Sequence, residues 1–241
     1  HLGVDVGDGP SVYDVLPDPS AAPGAIREVR ERLSLLPSVV DLAAVEAELA
    51  HEPDRNRRLG EALAPMLGSF DFILMDCPPS LGLLTLNALA CAREVIIPMQ
   101  AHFLALQGVG RLMETVRLVG QNVNPRLRIS GIVLCMHEET SRHTREVVAD
   151  LDAFFESARD KDVPWRSARV LRPPIRRNIK LAEAPSFGQT IFEYAADANG
   201  AQDYLALAQG LIREWDALRT RRTGEVVVPA APGAKAGAGA G

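Results

Sequence analysis

The chain has 241 residues, 47% of them hydrophobic and 5% aromatic, with a net charge of −5. That length suits one sizeable domain whose core rests on Leu, Ile, Val and Ala. No apolar run is long enough to cross a bilayer; Cys77, Cys91 and Cys135 lack the paired spacing of zinc, iron–sulfur or disulfide frameworks and fit a reducing compartment; and the negative balance confines any nucleic-acid contact to a local basic patch.

The first residue is His1, and initiator Met removal needs a small following residue, so sequence upstream is expected. Ser11 to Leu16 reads as a short helix, and Pro17, Pro19 and Pro23 break the stretch after it. Residues 26–32 are polar and read as helical or irregular. Leu33 to Leu36 is a short strand candidate closed by Pro37. Val39 to Ala50 carries Leu42, Val45 and Leu49 at helical spacing behind Ser38. Arg57 to Leu67 is a second amphipathic helix, ended by Gly68.

Phe70 to Met75 is an apolar run of strand length, and it ends in Asp76-Cys77-Pro78-Pro79-Ser80-Leu81-Gly82. Unbroken apolar strands belong to parallel sheets covered on both faces, and ligands of such sheets sit at the strands' carboxyl ends. The two prolines cannot continue a strand, so Asp76 is expected in a loop before a helix. A carboxylate there can hold a hydrated Mg²⁺ beside phosphates, or it can simply cap the helix; spacing alone leaves both open.

Leu81 to Ala92 reads as a buried helix and Glu94 to Met99 as a strand. Ala101 to Gly120 is helical, with Leu104, Val109, Leu112 and Val116 inward. Arg128 to Met136 is a strand, Ser141 to Ala158 a helix, and Arg169 to Leu171 a short strand. Gln189 to Phe192 reads as a last edge element. Asn199 to Arg219 is a long helix with Tyr204, Leu207 and Leu211 in one stripe. Strands alternating with helices predict an α/β fold, a mostly parallel doubly wound sheet flanked by helices. There is no internal repeat. One domain over 1–222 is expected, followed by a disordered Ala/Gly/Pro-rich tail over 223–241.

"DFILMDCPPSLGLLTLNAL" resembles the Walker B region of the ParA/Soj chromosome- and plasmid-partitioning ATPases, in the ParA/MinD branch of P-loop proteins. "RPPIRRNIKLAEAPSFGQTIFEY", from Arg172 to Tyr194, resembles a second family signature, matching at Arg177, Asn178, Leu181, Glu183, Ala184, Pro185, Ser186 and Gly188, with Arg176 where the family carries proline. "IPMQAHFLALQGVG" matches a third at Gln100, Ala105, Leu106 and Gly108, with His102 and Gln107 in place of glutamates. The resemblance implies a slow ATPase that dimerises around ATP and Mg²⁺, binds DNA without sequence preference, works with a ParB-like partner and is cytoplasmic and nucleoid-associated.

By that resemblance Asp76 holds Mg²⁺ through water, while Arg176 and Asn178 lie nearest the base. Without it, Asn178 is equally a helix cap or turn residue, and the prolines are loop stiffeners. Arg172, Arg177, Lys180 and Arg213 are the candidate DNA contacts, in two basic groups that read otherwise as a solvated surface. The family's first strand, with its phosphate loop and two lysines, is not matched, and no G-K-[ST] pattern occurs in the chain. This chain alone is therefore expected to be inactive as an ATPase, and no catalytic residue is assigned. The alternative is a non-catalytic scaffold that keeps the fold. A membrane-binding relative would end in an amphipathic helix rather than this tail, and a nitrogenase-reductase-like role would need cluster cysteines.

Overall fold

The computed structural model describes residues 2–5, 7, 9–78, 80–138 and 142–223; the side chains at 43, 103, 104, 142, 143 and 218–223 lie outside that description. The expected tail therefore lies outside it from residue 224 onward, as does the inward placement of Leu104. The amino-terminal third is built of short pieces. Ser11 accepts from the Tyr13 N–H while Asp14 accepts from the Ser11 N–H, and this reciprocal cap starts α1 (Val12–Val15). α2 (Ala22–Ala25) leads into β1 (Arg27–Arg30), which pairs antiparallel with β2 (Leu33–Leu35). This corrects the expectation of helix or irregular chain over 26–32: Arg32, at φ 60°, turns the chain back at once.

The helix expected over 39–50 is a 3₁₀ turn, Val40–Ala44, followed by α3 (Val45–Glu48). Pro65 has no N–H to give, so the next helix divides into α4 (Arg58–Leu63) and a 3₁₀ turn, Ala64–Met66. Beyond residue 80 the expected alternation is present: α5 (Leu83–Cys91), β3 (Glu94–Met99), α6 (Phe103–Asn122), β4 (Arg128–Leu134), α7 (Arg142–Glu156) and β5 (Arg169–Leu171). Three further helices come after them, α8 (Ile179–Glu183), α9 (Ile191–Tyr194) and α10 (Asn199–Thr223). The edge element expected at 189–192 is thus helical. Thr190 accepts from the Glu193 N–H and Glu193 from the Thr190 N–H, which closes a capping box there.

β3, β4 and β5 form a parallel sheet in that order, with Ile97 beside Ile132 and Ile132 beside Val170. β4 is buried on both faces. Ile129, Ile132 and Leu134 meet Leu89, Val116, Val147 and Leu151 from α5, α6 and α7. Val133 points the other way, toward Leu171, Ile175 and Leu207 of α10. The fold is accordingly α/β, a parallel sheet with helices on both faces.

The segment carrying Asp76 departs most from expectation. Residues 72–78 carry no regular secondary structure and pair with no strand among the described residues, so the strand predicted over 70–75 is not formed. Ile73 and Met75 pack beside Leu63 and Met66, whereas Leu74 faces outward at 84% exposure and Phe72 stacks on Trp215 with ring centroids 4.9 Å apart. Apolar alternation assigns side chains to faces; a strand forms only where a neighbour supplies ladder hydrogen bonds.

Asn87 ties α5 to the segment in front of it. Its Nδ2 donates to the Arg55 and Leu83 carbonyls at 2.7 and 3.0 Å, and its Oδ1 accepts from the Leu59 N–H at 3.1 Å. The side chain is fully buried and fully satisfied. Asn87→Ala strands buried backbone groups and is expected to lower stability by about 3 kcal/mol, read as a shift in urea midpoint at constant slope.

Candidate functional site

Asp76 lies in the irregular stretch that leads to α5. It is exposed, and its carboxylate takes no hydrogen bond or ion pair from a described residue. It does not cap the helix. Gly82 is the N-cap of α5 and has no side chain to offer. A carboxylate from elsewhere serves instead: Glu46 Oε1 accepts from the Leu84 N–H at 3.3 Å. Thr85 closes the loop by donating to the Ser80 carbonyl at 2.6 Å. Cys77 and Cys91 flank the segment. Burial pushes both thiols up, Cys77 further by the neighbouring Asp76 charge and Cys91 to about 11. Neither is poised as a thiolate nucleophile near neutral pH.

The carboxyl ends of β3, β4 and β5 make one continuous edge. Gln100 Nε2 reaches the Met136 sulfur at 3.3 Å, and His137 bridges to Arg176 in parallel register. Arg176 is held on that edge by Asp203 of α10. The guanidinium meets the carboxylate at 2.7 and 3.0 Å, and the Arg176 N–H donates to the same carboxylate at 3.0 Å. Asp203 is buried, and the Arg176 hydrogen bond first, with the paired charge, holds its carboxyl below the usual range. Asn178 is the N-cap of α8, its Oδ1 accepting from the Lys180 N–H at 2.9 Å. The edge thus gathers Gln100, Arg176 and Asn178; no hydrogen bond or ion pair among the described residues joins Asp76 to it.

The candidate DNA contacts are mostly paired with acids. Arg172 meets Asp152 at 3.4 Å, Arg177 meets Glu138 at 3.2 Å, and Lys180 meets Glu183 at 2.8 Å. Lys180 also lies 5.5 Å from the centroid of the Tyr194 ring. Arg159 and Arg169, from the same basic run, pair with Glu156 and Glu214. Arg213 is exposed on α10.

Two features were invisible in the sequence. Asp203 occupies the inner face of α10 four residues before Leu207, a position where an acid signals a buried partner. Arg30 of β1 clasps Glu193 at 2.7 and 2.9 Å and donates to the Leu2 and Gly188 carbonyls. It thereby fixes the amino-terminal segment against the loop after α8, where Gly3 and Gly188, both at positive φ, meet so closely that a Cβ on Gly188 would lie 2.6 Å from the Gly3 Cα. Arg30, with Thr190, draws the Glu193 carboxyl down to about 2. Because the folded value is depressed, this contribution to stability is complete above the usual carboxylate range and is lost as pH falls toward 2. A carboxyl NMR titration should show Glu193 titrating near 2, and Arg30→Met should raise it toward the usual carboxylate range, the two Thr190 hydrogen bonds still holding it down.

Among the described residues no group of three or more His, Cys, Asp or Glu side chains stands ready to cage a metal, and no helix is long and apolar enough to cross a membrane. A lone exposed carboxylate fits a hydrated Mg²⁺ held through water, the mode in which Mg²⁺ keeps most of its shell.

An AAA domain family model matches residues 4–129. The chromosome partitioning protein ParA of Myxococcus xanthus is 39% identical over 181 residues, 75% of this chain and 60% of that protein. The chromosome-partitioning ATPase Soj of Treponema pallidum is 37% identical across 87% of this chain and 79% of its own length; the sporulation initiation inhibitor Soj of Bacillus subtilis is 38% identical over 86% and 79%. The chain thus spans about three-fifths to four-fifths of these relatives. Among solved structures, a cobyrinic acid a,c-diamide synthase from Mycobacterium smegmatis, with bound ATP analogue and magnesium, superposes with a TM-score of 0.66 at 34% identity, covering 93% of this chain and 78% of that one. The cell division ATPase MinD of Pyrococcus furiosus shares the fold at TM-score 0.65 and 22% identity, over 88% and 79%. With a parallel sheet wrapped in helices and this breadth of identity to Soj proteins, the chain belongs to the ParA/Soj family of partitioning ATPases.

Proposed function

We propose that this chain is the Walker B and base-side part of a DNA-segregation ATPase that dimerises around MgATP, binds DNA without sequence preference and answers to a ParB-like partner in the nucleoid-associated cytoplasm. The observation that carries the reading is the uncommitted carboxylate of Asp76 just ahead of α5. Asp76 would hold hydrated Mg²⁺ through water, and Mg²⁺ when bound would offset the charge of the phosphates. Arg176 and Asn178 would border the base, the guanidinium fixed in place by Asp203 and the amide by its own cap. Those internal partners favour a rigid wall over a flexible grip on the ligand.

A phosphate cradle built from backbone N–H groups and lysine is not encoded in these 241 residues. Stabilising the transferring phosphoryl group is the larger part of catalysis. ATP turnover is therefore proposed for a polypeptide that supplies the cradle, and the chain alone is expected to show none. The non-catalytic scaffold remains the competing reading, and Asp76 substitution separates the two.

For DNA, the pairing of Arg172, Arg177 and Lys180 with acids limits what each can add, since a phosphate must displace a carboxylate to reach them. Arg213 is the freer member. Binding to duplex DNA is expected to fall log-linearly with salt, and Arg213→Ala to reduce that slope by about one, whereas Arg177→Ala changes it less. Fluorescence anisotropy over a salt series reads both. A slope indifferent to all four positions would remove them from the interface.

A further inference from the structure

A second group of arginines lies at the opposite end of the sheet, and of these Arg128 and Arg166 make no ion pair among the described residues. An open cleft of about 270 Å³ lies where α6 ends, where β4 begins and where the loop before β5 passes beneath them; its walls include Arg117, Arg128 and Arg166 with one acid, Asp162. Arg128 donates to the Pro125 and Leu127 carbonyls at 2.9 and 2.8 Å, so its guanidinium is held without being neutralised. Arg166 is exposed and makes no ion pair among the described residues. Arg117 is oriented by Glu114 at 2.9 Å and by Gln121 at 3.1 Å.

Backbone hydrogen bonds brace the walls. The Ile129 N–H donates to the Pro164 carbonyl at 3.0 Å, the Arg166 N–H to the Val163 carbonyl at 3.1 Å, and Leu127 between them is fully buried. The Arg117 and Arg128 guanidinium groups, each held by its own hydrogen bonds, lose little freedom on meeting a planar or tetrahedral oxyanion, and the guanidinium fork matches two oxygens at once. The contrast with the other basic run is chemical: there each of five arginines, Arg159, Arg169, Arg172, Arg176 and Arg177, already has its carboxylate.

We propose that this cleft, bounded by Arg117, Arg128 and Arg166 at the amino end of β4, is a phosphate-binding site separate from the Asp76 edge. Its ligand is a phosphate group, carried either by a small phosphorylated molecule or by a polynucleotide backbone. The volume suits one phosphate with a modest substituent rather than an enclosed nucleotide.

The test tracks the arginine Nε–H signals of the full chain by NMR while inorganic phosphate, and separately a short DNA duplex, is added. Saturable shifts of Arg128 and Arg166 with inorganic phosphate support the site and a small-ligand source. Shifts of the same signals with duplex alone support the site and a polymer source. In either arm Arg128→Gln combined with Arg166→Gln should weaken binding roughly tenfold or more, while Arg111→Gln, an exposed α6 arginine outside the cleft, leaves it unchanged. Both arginines are exposed, so melting should be unaltered and loss of binding is not loss of fold. Unmoved Arg128 and Arg166 signals with both probes, or full binding by the double variant, overturns the proposal without touching the nucleotide reading.

Discussion

Gly131→Ala is expected to lower the melting temperature by roughly 6–12 °C, corresponding to about 3 kcal/mol. Gly131 sits in β4 opposite Arg169 of β5, and a Cβ built on it would run into the Arg169 carbonyl oxygen and lie 3.0 Å from the Leu171 side chain. The first neighbour is backbone and cannot swing away. The register of β4 against β3 also slips here, Val95 facing Ile129 and Ile96 facing Gly131, so the strand bulges where the glycine lies. Adding one methyl forces β4 and β5 apart, and the pairs Ile132–Val170 and Val133–Leu171 loosen with it. Gly110→Ala is the matched control. Gly110 is exposed in α6 with nothing within 4 Å of its would-be Cβ, so alanine there should raise stability by about 0.5–1 kcal/mol through helix propensity and a less flexible unfolded chain. Thermal melts of the two variants should move in opposite directions. A Gly131→Ala melt within a degree of the parent would mean that the strands separate at little cost.

How much of this was legible in the sequence depends on whether a residue's partner is near it in the chain. β3 and β5 emerge at the predicted residues and β4 within two of them, because continuous Val/Ile runs of strand length have few alternatives. α9 was legible in principle: Thr190 and Glu193 spell a capping box, but Ile191 and Phe192 suggested a strand. β1 was not legible, since "REVR" is mostly charged and becomes a strand only because Arg32 turns β2 onto it. The same reasoning explains Phe70 to Met75. Its alternation correctly sorts Ile73 and Met75 inward, yet pairing is decided by what lies alongside, and no described strand does. At the site, Asp76 and the Asn178 cap arise from local chemistry, while the Asp203 carboxylate that seizes Arg176 is 27 residues away and needed the fold to find it.

Asp76→Ala, placed in a polypeptide that supplies the phosphate cradle, should reduce Mg²⁺-dependent ATP turnover by about 10–100-fold, the range seen when an outer partner of a bound metal is removed. The loss should appear chiefly as a higher Mg²⁺ requirement. A carboxylate acting through water lends the ion charge and orientation, and excess Mg²⁺ restores occupancy but not orientation, so rescue should be partial. Asp76→Asn keeps a hydrogen-bond acceptor without the charge and should fall between alanine and the parent. Stability should move by less than about 0.5 kcal/mol in both variants, because the side chain is exposed and bonds to no described residue. That separation distinguishes a functional acid from a structural one. Had Asp76 capped α5, alanine would cost about 1 kcal/mol and leave the metal dependence alone; Glu46 already serves that helix end. Equal turnover and equal Mg²⁺ dependence in parent and Asp76→Ala would instead favour the scaffold reading, in which the fold persists and the nucleotide chemistry does not.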